Sequence, residues 1–128
     1  MSIEAYSKGS EAAMATWDEV CGAVQAALPG VEVSTSYGTP ALKVRGKMLV
    51  RVWDDEPDVL VVRLTDLDEQ EELTATEPEV FFITPHYAGH PTVLVHLDGI
   101  EAAELVELVT PAWRGYASKA LLAELDAR

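Results

Sequence analysis

Apolar residues change their period twice along this chain. Trp17, Val20, Cys21, Val24 and Leu28 recur three and four apart, the spacing of one helix face. Thr16-Trp17-Asp18-Glu19 opens that segment as a capping box, in which the Thr hydroxyl and the Glu carboxylate each satisfy an orphan backbone N–H. Pro29-Gly30 stops it. Alternation then takes over. Pro40–Val44 and Met48–Trp53 read as a hairpin around Arg45-Gly46-Lys47, and Val59–Leu64 as a third strand reached through Asp54-Asp55-Glu56-Pro57-Asp58. Val31–Ser36 is either a strand or an irregular lead-in. Asp66–Thr76 is expected to be a short acidic helix with Leu67 and Leu73 on its inner side. Glu79–Thr84 and Thr92–Leu97 give two further strands, joined by Pro85-His86-Tyr87-Ala88-Gly89-His90-Pro91.

Ala102, Leu105, Val106, Val109, Trp113 and Tyr116 mark a long amphipathic helix. Pro111 interrupts it: either the helix kinks, or Thr110 caps a new helix with Pro at its first position. Ser118–Asp126 forms a last short helix. The resulting order, α-β3-α-β2-α, predicts an α+β fold of two layers: an antiparallel sheet of about five strands with helices on one face. The length of 128 residues fits one domain, with residues 1–10 expected to be a flexible arm.

Composition narrows the setting. Apolar residues make up 48% of the chain and charged residues 24%, a globular balance. Apolar runs are short, as at Val59–Val62, and no membrane span is expected. The N-terminal residues lack the basic and apolar regions of a signal peptide. The sole cysteine, Cys21, excludes an internal disulfide and lies on the apolar helix stripe, where an inert thiol is expected. These features favour the cytoplasm. The net charge of −13 keeps such a chain in solution and repels phosphate backbones at long range.

Several segments together resemble the MmcQ/YjbR family: Leu28-Pro29-Gly30-Val31 after a Trp-bearing helix, Ser36-Tyr37-Gly38-Thr39-Pro40-Ala41-Leu42-Lys43-Val44, Gly46-Lys47, Thr84-Pro85-His86-Tyr87-Ala88-Gly89 before Pro91, and the terminal helix with Trp113. The resemblance covers about residues 15–120. It implies a compact fold likened to CyaY and to secretion-chaperone domains, and a DNA-binding label. It brings no catalytic residues and no cofactor.

Where chemistry could sit follows from the alternation of side chains along strands. If Leu42, Val44, Met48, Val50 and Val52 face the helices, then Lys43, Leu49, Arg51 and Trp53 face away, joined by Arg63 and His96 from other strands. The segment Lys43–Arg51 carries four of the nine basic residues and no acid, whereas Asp66–Glu79 carries seven acids and no base. Cations beside an aromatic on a sheet can grip phosphates and stack bases. Lys43, Lys47, Arg51, Trp53 and Arg63 are therefore the expected binding residues. The alternative occupants are a protein partner, a weak second copy of the chain, or a small anionic ligand.

A second candidate is a cleft formed by Tyr37, Thr39, His86, Tyr87 and His90. His86 and His90 are four apart, but Pro85, Gly89 and Pro91 oppose the helix on which such a pair holds a metal, so no metal site is assigned. The hydroxyl-rich run Ser34–Thr39 can be read as an anion cradle or as a turn; it lacks the Lys and Ser/Thr of a nucleotide-hydrolysing loop. No catalytic residue is assigned, because the Ser residues lack a nucleophile elbow and the abundant carboxylates single out no pair. The expectation is a non-enzymatic binding domain, nominally for nucleic acid through the family label.

Overall fold

The computed structural model describes residues 15–128, so the expected arm at residues 1–10 lies outside the described part. Helix α1 (Trp17–Ala27) begins at the capping box: the Glu19 N–H donates to Thr16 Oγ1 at 3.1 Å, and the Thr16 N–H to Glu19 Oε1 at 2.9 Å. Val20 and Val24 are fully buried on its inner face. Strands β1 (Val31–Ser36), β2 (Thr39–Val44), β3 (Lys47–Val52) and β4 (Val59–Arg63) follow. After α2 (Leu67–Thr76) come β5 (Phe81–Phe82), β6 (Thr92–His96), α3 (Ala102–Tyr116) and α4 (Lys119–Asp126). The sheet order is β1-β2-β3-β4-β6-β5, with every neighbouring pair antiparallel.

The α+β class and the antiparallel sheet are as expected, but the sheet has six strands and four of them precede α2. Val31–Ser36 is a true strand because Tyr37-Gly38 closes it onto β2. That turn and Arg45-Gly46 each put two successive residues at positive φ (53° and 81°, 52° and 78°). Two-residue hairpins need this geometry to match strand twist. β5 shrinks to two residues because the N–H groups of Val80 and Phe81 both turn back to Glu77 O, and Thr84 then enters a tight helical turn at Pro85–Tyr87.

α1 and α3 cover one face of the sheet and pack on each other. Trp113 is wholly buried between them, with its indole N–H donating to Pro29 O at 2.9 Å. Thr110 does not cap a new helix, because α3 runs through Pro111 as one element. Thr110 instead donates its hydroxyl to Val106 O one turn back, at 2.6 Å. Pro111 and Glu107 both lie on the exposed side, where water can serve the carbonyl that Pro leaves without a donor. α4 lays Leu121, Leu122 and Leu125 against the same core. Gly30 sits so close to it that a Cβ would lie 2.9 Å from both Leu121 methyls.

Strand alternation fails at one place. Leu42 pairs with Val50, but Lys43 pairs with Met48, which leaves Leu49 as an extra residue on β3. Such a bulge puts two residues of one strand opposite one of its partner and turns the side chains that follow. Leu49 and Val50 therefore both enter the helix-side core, and Met48 turns to the open face. This reverses the faces expected for Met48 and Leu49. A second correction concerns α2, where Leu67 is exposed and Gln70 is the buried residue.

Candidate functional site

The face of the sheet away from α1 and α3 has its own small apolar cluster. Val59, Val61, Leu94 and Tyr87 are buried there, with Met48, Trp53, Phe82 and Ile83 against them. Tyr87 arrives from the 84–91 segment, which folds over this face. Gln70 of α2 ties the segment down: its side-chain amide nitrogen lies 3.2 Å from Tyr87 O, 2.7 Å from His90 O and 2.7 Å from Thr92 O. Two amide hydrogens thus bridge three carbonyls, two of which, Tyr87 O and His90 O, also accept the backbone N–H groups of His90 and Thr92.

Between this loop and the β1–β2 hairpin lies a cleft of about 770 Å³. Arg51 forms its middle. Its side chain is only 7% exposed, and the guanidinium donates to Tyr87 Oη at 3.0 Å, Val52 O at 3.3 Å and Thr39 Oγ1 at 3.4 Å. The Tyr37 ring covers the guanidinium carbon, 5.1 Å from ring centre to that atom, a cation–π distance. Asp54, exposed to solvent, approaches Arg51 at 3.6 Å.

The two ends of the cleft differ. Ser36, Tyr37, Trp53, Asp54 and Asp55 line one end; Met48, Arg63, His90 and Thr92 line the other. Thr84 and His86 form the wall contributed by the loop, with the His86 ring edge-on to Tyr87 at 4.8 Å. Among the described residues, two buried side-chain polar atoms have no hydrogen-bond partner: Arg63 Nε and Thr92 Oγ1. They belong to residues paired across β4 and β6, at the same end of this cleft.

The structure thus joins two candidates into one. Arg51, Trp53 and Arg63 from the sheet share a cleft with Tyr37, His86, Tyr87 and His90 from the loops, and Thr39 supports Arg51 from the side. Lys43 and Lys47 do not line it. Lys43 lies across from Glu32 on β1, and Lys47 is exposed at the hairpin end. Arg45 turns towards the helices, donating to Tyr116 O at 3.1 Å. His96 stacks on Phe82, ring centres 4.7 Å apart, outside the cleft. The run Ser34–Ser36 is spent on β1, and Tyr37-Gly38 on its turn. Among the described residues, no group of three or more His, Cys, Asp or Glu side chains is placed to hold a metal ion. Burial first, and then the Asp18 carboxylate, push the Cys21 thiol above its usual range, which lowers its reactivity.

Residues 26–115 match the family model described as YjbR. The chain belongs to the YjbR family. Its relatives include uncharacterized proteins of Mycobacterium bovis and of two Mycobacterium tuberculosis strains, each 36% identical over 121 residues, with 85% of this chain and 94% of the relative covered. The crystal structure of Deinococcus radiodurans protein DR2400, a DUF419 domain, superposes with a TM-score of 0.66 at 25% identity, covering 88% of this chain and 89% of that one. The α+β fold is therefore that of a YjbR-like domain. No helix among the described residues is long and apolar enough to cross a membrane.

Gln70 and Thr92 were not legible as site residues. Gln70 is the one uncharged polar residue in Asp68-Glu69-Gln70-Glu71-Glu72, a weak sign that it is kept from water. Thr92 carried no sign, since Thr is an ordinary strand residue.

Proposed function

We propose that this chain is a binding domain whose site is the Arg51–Arg63 cleft and whose ligand is a small anionic molecule. The observation that carries this reading is the pair of buried, unpartnered atoms, Arg63 Nε and Thr92 Oγ1, at one end of a cleft with Arg51 at its middle. A buried donor left unmatched costs about 1–3 kcal/mol, more when the group is charged. Both atoms are closed to solvent in the unliganded fold, so a phosphate or carboxylate lodged there accepts from the guanidinium and the hydroxyl once those side chains turn towards it. Its charge also balances that of the two arginines better than Asp54, which is exposed and 3.6 Å from Arg51. The cleft's size is within the range of small-molecule sites, about 300–1,000 Å³.

The nucleic-acid label implied by family resemblance draws less support from the same residues. Lys43 and Lys47 lie off the cleft, Asp54 and Asp55 stand at one end of it, and the net charge is −13. A polynucleotide strand leaving the cleft by that end would run against those carboxylates. The two readings separate in a titration. A small anion raises Tm in a saturable way, by about 2.7 kcal/mol of stabilisation at a hundred times its Kd. Arg51→Met abolishes that rise, and because it takes the donor from Tyr87 Oη, Val52 O and Thr39 Oγ1 it also costs the unliganded fold about 1–3 kcal/mol. Short duplex DNA bound with a log-linear loss of affinity in salt, and no response to small anions, would favour the family label instead.

A further inference from the structure

The cleft is polarised, and its polarity names a ligand more closely than charge alone. Arg63, with its unpartnered Nε, and Thr92, with its unpartnered hydroxyl, mark one end. Two aromatic rings and two carboxylates mark the other: Tyr37, Trp53, Asp54 and Asp55. The Tyr37 residue is 86% exposed, an unusual cost for an aromatic held in a positive-φ turn. One face of its ring lies over Arg51, which leaves the other face for a planar group. Trp53 faces Val59 across the sheet, whereas Arg63 lies four residues further along β4, so the ends are about 13 Å apart at strand spacing.

Resting on the anion-site reading above, we infer that the cleft takes a single mononucleotide whose base bears an exocyclic amine. The phosphate sits between Arg63 and Thr92, with Arg51 along its path. The base lies against Tyr37 and Trp53, and its amine donates to the carboxylates of Asp55 and Asp54. Carboxylates accept from an amine such as that of cytosine. Uracil places a carbonyl where cytosine has that amine, and turns its oxygen lone pairs on the same carboxylates. Base–aromatic stacking needs only a π face, so the aromatics hold any base and the carboxylates choose among them. The acids that repel a polynucleotide thus become selectors within a site that holds one nucleotide.

The test is calorimetric titration of the full chain with cytidine, adenosine and uridine monophosphates, adenosine itself, and inorganic phosphate. The expected result is that cytidine and adenosine monophosphates bind about tenfold or more tighter than uridine monophosphate, as one well-placed charge-assisted hydrogen bond allows. Adenosine and inorganic phosphate should each bind at least about tenfold more weakly than adenosine monophosphate, having lost one end of the contact set. Asp55→Asn, at an exposed position, should narrow the gap between cytidine and uridine monophosphates, and Arg63→Gln should weaken all three nucleotides. Equal binding of all three nucleotides and of inorganic phosphate, lost in Arg63→Gln, would overturn the mononucleotide inference and leave the anion site standing. No binding of any phosphate compound, inorganic phosphate included, would overturn both.

Discussion

The two faces of this sheet are built to different standards. On the helix side, Leu42, Val50, Leu60, Val62 and Val93 are wholly buried among apolar neighbours, and the indole N–H of Trp113 has its acceptor in Pro29 O. On the open side, the apolar cluster is small, an arginine, Arg51, lies 6% exposed, and Arg63 Nε and Thr92 Oγ1 have no partner. Close packing with every donor matched yields stability; a fold draws nothing from donors left waiting. The contrast sets close packing on the helix side and the proposed anion site on the open side, in line with the common exchange of stability for function at binding sites.

The contrast can be broken most forcefully at Trp113. Trp113→Ala removes the largest fully buried side chain and should cost about 3–5 kcal/mol in urea denaturation. A loss under about 1 kcal/mol would mean that the helix-side core is not where stability resides. Next comes Gln70→Ala, which strips the amide donor from the carbonyls of Tyr87, His90 and Thr92. It should cost about 1–3 kcal/mol, and hydrogen exchange should quicken selectively in residues 84–92. Uniform quickening across the sheet would show that the loop and the core open as one unit. The smallest effect has the opposite sign. Thr92→Val replaces an unpartnered buried hydroxyl by a methyl of similar shape and should stabilise the unliganded chain by about 0.5–1 kcal/mol. The same change should weaken anion binding. A destabilising Thr92→Val would mean that the hydroxyl already has a use in the unliganded fold.

The fold was largely legible before its structure. The Thr16–Glu19 capping box, the α1 stripe and the hairpin of β2 and β3 rest on residues close in sequence, and each stands where the pattern places it. The misreadings have physical causes. Met48 and Leu49 exchanged faces because a bulge breaks the two-residue period, and no single residue type announces a bulge. Leu67 was expected inside, but Gln70 took that place, where its amide donates to the carbonyls of the loop that folds over the open face. Lys43 and Lys47 belonged to the basic hairpin as a composition, yet strand pairing sent them away from Arg51.

By itself the sequence determined the α+β class, the antiparallel hairpins, the family and the separation of an apolar helix-side layer from a mixed outer face. These follow from local periods, caps and turn residues, which act over a few positions. Only the tertiary structure decided that Tyr37, Arg51, Arg63, Tyr87 and Thr92 share one cleft while Lys43 and Lys47 do not. That decision depends on strand order, on one bulge and on a loop anchored by Gln70. These gather residues from β1 to β6 around one cleft, a proximity that no short stretch of chain encodes.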